Sequence, residues 1–246
     1  MDYILEVIAF NIQSVLLAQQ SGAHRIELCD NPAEGGTTPS YGMIKKAREN
    51  TSLLLYPIIR PRGGDFLYTD DEFDVMKKDI QLCKELRCDG VVIGLLEADG
   101  SIDKKRTAQL VEAAFPLGVT FHRAFDRAAN PFEALEEVIN TGCERILTSG
   151  LKPTAPEGAE TIAELIRQAD DRIIIMPGSG IRADNIQAIA KQTQALEFHS
   201  SARSNIASAM EFINTQMNET LEATTLDIDE VKKMVAALQE LQTHNA

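Results

Sequence analysis

Gly118-Val119-Thr120-Phe121-His122-Arg123-Ala124-Phe125-Asp126 decides how this chain is read. Val119, Thr120 and Phe121 suit an enclosed pleated surface, so the stretch opens as a buried strand. An imidazole, a guanidinium and a carboxylate follow within five residues. Asn130-Pro131-Phe132-Glu133 then supplies a helix start, with Asn130 as cap and Pro131 at the first helical position. Chemistry stands where a strand hands over to a helix.

Outward from this stretch the same order repeats. Apolar, β-type runs fall at Ile4-Phe10, Arg25-Cys29, Leu53-Arg60, Gly90-Leu95, Val119-His122, Arg145-Ser149, Arg172-Met176 and Leu196-Ser200. Segments with helical spacing or caps separate them: Asn11 to Ser21 stops at Gly22, and Thr69-Asp70-Asp71-Glu72 is a capping box. Arg172-Ile-Ile-Ile-Met176 is almost continuously apolar, as a strand covered on both faces must be. The strands are spaced for βαβ crossovers, not hairpins. The expected fold is therefore α/β, a single (β/α)8 TIM-type barrel over 1–246, with a doubly wound open sheet as the alternative. Residues 203–226 form a polar segment after the eighth strand, expected to hold a short extra helix, and 227–243 form a terminal helix capped by Asp227.

The 246 residues, 44% of them hydrophobic, are enough for a large core. With 24 Lys and Arg against 37 Asp and Glu the formal charge is −13, which disfavours nucleic acid and anionic membrane as partners. No run of about 18 apolar residues occurs, and the chain opens Met1-Asp2-Tyr3 without a basic n-region. Cys29, Cys83, Cys88 and Cys143 form no Cys-x-x-Cys pair, which fits a reducing compartment, and the cytoplasm is the expected location. Phe73, Met76, Ile80 and Cys83 make one apolar helical stripe, a packing role for that cysteine.

In such a barrel the active site gathers at the C-terminal ends of the strands. Glu6 lies inside an apolar strand, where its carboxylate needs a partner or a shifted pKa. Period-2 geometry puts Arg25, Glu27 and Cys29 on one face, toward the barrel axis if Ile26 and Leu28 face the helices. Arg60-Pro-Arg62-Gly-Gly-Asp65 offers two guanidiniums on a stiff turn, a fork for carboxylate or phosphate. Strand five contributes His122, Arg123 and Asp126. The last three strands end in small, hydroxyl- or glycine-rich turns containing Ser149, Gly178, Gly180, His199, Ser200 and Ser201, the setting in which barrels bind phosphate. Gly178-Ser-Gly180-Ile-Arg-Ala183 also matches a dinucleotide pattern, but only one strand follows it, which argues against that use.

Ala9-Phe-Asn11, Arg25-Ile-Glu-Leu-Cys29 with Glu34-Gly-Gly36, Pro57-Ile-Ile-Arg-Pro-Arg-Gly-Gly-Asp-Phe66, Thr120-Phe-His-Arg-Ala-Phe-Asp126, Arg145-Ile-Leu-Thr-Ser-Gly150 and Glu197-Phe-His-Ser-Ser-Ala202 together resemble the CutC family. The likeness runs from about residue 4 to residue 202 and includes the terminal helix. It implies a TIM-type barrel, a homo-oligomer and a role in copper homeostasis, with copper(I) as ligand. Under that reading Cys29 is the principal soft donor, aided by a mouth histidine or Met176.

The residues themselves also support an enzyme. In that reading His122 is the acid/base, Glu6, Glu27 or Asp126 partners it, and Arg60, Arg62, Asp65, Arg123 and the turns after strands six to eight bind an anionic small molecule.

Overall fold

The computed structural model describes residues 3–244; residues 1, 2, 245 and 246 of the expected 1–246 domain lie outside the described residues. Strands and helices alternate: β1 (Ile4–Ala9), α1 (Ile12–Ser21), β2 (Arg25–Leu28), α2 (Tyr41–Asn50), β3 (Leu54–Pro57), α3 (Asp70–Glu85), β4 (Gly90–Ile93) and α4 (Lys104–Ala114). The second half continues with β5 (Gly118–Phe121), α5 (Pro131–Thr141), β6 (Arg145–Thr148), α6 (Ala159–Ala169), β7 (Ile174–Pro177), α7 (Ile186–Thr193) and β8 (Glu197–Ser200). Local chemistry sets the ends. Thr69 and Glu72 close the capping box of α3, Asn130 accepts from Phe132 and Glu133 N–H groups at α5, and Gly22 takes φ +83° after α1.

The eight strands are parallel and run in the orders β3-β2-β1-β8 and β4-β5-β6-β7. A parallel bridge between Ile58 and Val92 joins β3 to β4, and β7 lies against β8. Neighbours are consecutive in sequence and the last strand pairs with the first, the arrangement of a (β/α)8 barrel. A doubly wound sheet would reverse its strand order at a switch point. Leu5, Val7, Ile26 and Leu28 point outward into the core beneath the helices, and α3 buries Phe73, Met76, Ile80 and Cys83 there.

The barrel interior is unusually polar. Branched apolar side chains commonly fill this space, whereas here Arg25 bonds Glu6 and lies 2.5 Å from Glu197, and Arg145 reaches the same Glu197 at 2.6 Å. Tyr56 crosses the interior and donates to Glu144 (2.9 Å); a side chain at Gly90 or Gly118 would overlap it, so both positions are bare.

After β8, residues 203–226 hold a short helical turn as expected, a 3-10 helix at Thr215–Met217, but also an unexpected antiparallel pair, β9 (Arg203–Ile206) and β10 (Ala223–Leu226). The β-branched Ile206, Thr224 and Thr225 favour pairing across the intervening loop over a helical turn. The terminal helix α8 (Ile228–His244) starts at Asp227, whose Oδ1 accepts from the N–H groups of Asp229 and Glu230, both at 3.1 Å.

Candidate functional site

A cavity of about 380 Å³ opens at the C-terminal ends of the strands. Ile8, Ile58, Phe66 and Leu147 supply apolar lining, Glu27, His122 and His199 supply titratable groups, and Arg60, Arg123, Arg182 and Arg203 supply cations. A chain with a formal charge of −13 thus gathers four arginines at one mouth, which favours an anion there.

His199 is the third residue of β8, and register brings it beside Glu6 of β1. Its Nδ1 lies 2.7 Å from Glu6 Oε1, and its Nε2 lies 3.7 Å from Glu27 Oε2. Burial pushes the Glu6 carboxyl up, but Arg25 and His199 outweigh this and hold it at about 2. Glu6 is therefore an acceptor, so Nδ1–H of His199 donates to it and Nε2 turns toward Glu27. Burial drives Glu27 up to about 7, with Glu6 adding to the rise and His199 and Arg203 opposing it. Burial lowers the His199 pKa, yet Glu6 and Glu27 raise it above its ordinary value. Glu27 and His199 thus face each other across 3.7 Å, each held above its ordinary pKa. Beneath them the column Glu6, Arg25, Glu197, Arg145 fixes the geometry from the barrel floor.

His122 stands directly after β5 and has a different character. Its Nδ1 accepts the N–H of Ala124 at 3.1 Å, so the ring proton sits on Nε2. That Nε2 is buried and has no hydrogen-bond partner among the described residues. Burial, reinforced by Arg60 and Arg127, lowers the pKa to about 3. At neutral pH His122 is an uncharged N–H donor on the cavity wall. A Cβ at Gly94 would overlap the imidazole, so the end of β4 leaves room for the ring.

The remaining expected residues divide between lining and support. The Arg60 guanidinium donates to the carbonyls of Glu34 (2.6 Å), Gly36 (2.8 Å) and Gly64 (2.8 Å), tying the loops after β2 and β3 together. Arg62 lies outside the cavity lining and pairs with Glu72 (2.5 Å) and Asp65 (2.9 Å). Asp126 accepts from Arg123 Nε (2.7 Å), Thr148 Oγ1 (2.5 Å) and Ser149 N–H (3.0 Å), and so holds Arg123 against the cavity. Ser149 Oγ lies 2.8 Å from Arg123 Nη2 and is fully buried. Ser200 donates to the Ile181 carbonyl (2.8 Å), bracing the turn after β7; Gly178 is buried behind that turn, while Gly180 and Ser201 line the cavity.

Cys29 points into the barrel as the alternation requires, but it is fully buried, with its Sγ packed beneath Gly36. Burial, then Glu27 and Glu6, push its thiol far above the ordinary range. Met176, expected as a soft donor at the mouth, is instead fully buried outside the cavity lining and receives Arg25 Nη2 at 3.4 Å. Among the described residues, the group whose ligand atoms converge within 4.8 Å is Glu6, Glu27 and His199, an oxygen and nitrogen set. The sequence pattern did not single out Arg182 and Arg203 as lining residues; the signal was a cation shortly after strands seven and eight.

Comparison with known proteins agrees with this architecture. The CutC family model matches residues 3–204. A CutC family protein of Parabacteroides distasonis is 54% identical over 215 residues, covering 87% of this chain and 88% of its own. One from Bacteroides fragilis is 46% identical over 242 residues, 98% of this chain and 95% of its own. A solved structure from Streptococcus agalactiae, named for copper homeostasis as CutC, superposes with a TM-score of 0.77 at 35% identity, covering 81% of this chain and 98% of that one. Thiamine phosphate pyrophosphorylase from Pyrococcus furiosus, at 15% identity and a TM-score of 0.61 over 97% of this chain and 96% of its own, shares the fold alone. The chain belongs to the CutC family.

Proposed function

We propose that this chain is a proton-transfer enzyme acting on a small anionic carbonyl compound at the barrel mouth. The observation that carries the reading is the sequence of contacts Glu6–His199–Glu27 opening onto an arginine-lined cavity. Glu6 orients His199 and stabilises its charged form, as a buried carboxylate does for an imidazole in hydrolytic triads. Glu27, with a pKa near the working pH, removes a proton from the carbon beside the carbonyl. The C–H electron pair moves into the carbon–carbon bond, and the carbonyl oxygen gains negative charge. His122 Nε2–H donates to that oxygen; being neutral, it polarises the oxygen without surrendering its proton. The Glu27–His199 pair then returns the proton to the substrate. His199 and His122 thus exchange the roles that strand position alone suggests.

The test is exchange of carbon-bound hydrogen in D2O, followed by proton NMR, over a panel of phosphorylated and carboxylated hydroxycarbonyl compounds. The parent protein should exchange a member of the panel, and Glu27→Gln should slow it by about 10²-fold or more. Equal exchange by the two proteins, or none by the parent over the whole panel, would overturn the reading.

The names of relatives make a copper cargo the second reading. The specific observation in favour of a cation is the convergence of Glu6, Glu27 and His199. Those donors do not fit copper(I), which prefers thiolate and thioether, and Glu6 is already paired with Arg25. The four free, buried cysteines suit the cytoplasm, where we place the protein.

A further inference from the structure

We infer that the turns after β7 and β8 form a phosphomonoester cup, so the substrate of the proposed proton transfer carries a phosphate. This rests on the proton-transfer reading for its chemistry but on separate residues for its binding. Ser179, Gly180 and Ser201 line the cavity there, and each brings a backbone N–H. Among the described residues none of the three finds an acceptor in the protein. Ser179 and Ser201 are half-buried and Gly180 is exposed, so these main-chain donors are open to a ligand entering the cavity.

The backbone is held ready to meet one. Ser179 and Gly180 are consecutive left-handed residues, at φ +76° and +75°, a conformation a serine seldom adopts unless its surroundings impose it. Here the loop after β6 imposes it: Ser179 Oγ donates to the Pro153 carbonyl, and the Ala155 N–H donates to the Ser179 carbonyl, each at 2.9 Å. Through the Ser179 carbonyl the peptide unit that carries the Gly180 N–H is fixed, and Asn185 Nδ2 secures the next unit at the Gly180 carbonyl, 2.9 Å away. Successive N–H groups in such a turn converge on an anion.

Two cations complete the cup. Arg182 lines the cavity and has no side-chain partner among the described residues. Arg203 is held with its Cζ 4.9 Å above the Phe10 ring, which orients the guanidinium while leaving most of its donors free. A phosphate dianion accepts from both backbone and guanidinium donors, and a planar guanidinium suits it. On the same cavity, the buried His122 Nε2 is a further donor without a partner. The cavity thus offers separate donors for a phosphate and for a carbonyl oxygen, and its volume of about 380 Å³ suits a small sugar phosphate.

The experiment titrates the 15N-labelled full chain at pH 7.5 with inorganic phosphate, ribose 5-phosphate and unphosphorylated ribose. Phosphate and ribose 5-phosphate should shift the Ser179, Gly180 and Ser201 amide signals, and ribose should not. Arg182→Ala and Arg203→Ala, at exposed positions, should each weaken phosphate binding about tenfold, whereas Glu27→Gln should still bind it. Amide signals unmoved at millimolar phosphate, or unchanged affinity in Arg182→Ala/Arg203→Ala, would overturn the cup. Because Glu27→Gln removes the base and leaves the cup, phosphate binding by this variant supports the cup even where hydrogen exchange fails.

Discussion

Glu6 Oε1 lies 2.7 Å from His199 Nδ1, and the same carboxylate is pinned from below by Arg25. Glu6→Gln keeps the shape and removes the charge. The His199 pKa, followed by NMR, should then fall toward or below its ordinary 6.5. Stability should drop by about 3 kcal/mol, because Arg25 loses one of its two carboxylates in a buried setting. An unchanged His199 titration would remove Glu6 as its positioning residue.

Glu27 makes stability depend on pH with a defined sign. Its folded pKa, about 7, stands above the ordinary 4.5, so the folded state binds the proton more tightly. That contribution is full below pH 4.5 and is lost as pH rises to about 7. The stability difference between the parent and Glu27→Gln, from urea melts, should fall across this window and level off above it. A flat difference would mean that Glu27 ionises normally.

His122 has the opposite sign. Its folded pKa of about 3 lies below the ordinary 6.5, so its contribution is present above pH 6.5 and is lost as pH falls toward 3. The parent should lose stability relative to His122→Asn by up to ~1.4 kcal/mol per pH unit within that window.

Gly94 is bare because the His122 ring occupies the space a Cβ needs. Gly94→Ala should destabilise by about 1–3 kcal/mol through overpacking and displace the imidazole. The loss of exchange activity should exceed the loss of stability, and wild-type activity in a folded variant would show that the ring position is immaterial.

Much of this was legible in sequence. The alternation Arg25-Ile-Glu-Leu-Cys29 assigned faces correctly because the side-chain period of a strand is local, and the caps at Thr69 and Asn130 lie beside the helices they start. The partner of each inward side chain was not legible, since Glu6, Glu27 and His199 meet only through the registers of β8, β1 and β2. The tautomer of His122 depends on one backbone N–H, that of Ala124, which no residue pattern reports. The β9–β10 pair joins segments far enough apart that helical spacing between them carried no information.

Copper(I) binding supplies a check on the soft-donor reading. With Cys29 buried under Gly36 and its thiol held protonated, Cys29→Ser should leave anaerobic copper(I) affinity within about twofold of the parent, measured against a competing chelator. A tenfold loss would place that thiol in a copper site.

The assignment of two roles to two histidines is tested most directly by 15N NMR of ring-labelled protein titrated from pH 8 to pH 4. His122 should remain the neutral Nε2–H tautomer throughout, and His199 should titrate above its ordinary 6.5 and donate from Nδ1. A His122 that titrates near 6.5 beside a neutral His199 would contradict the account.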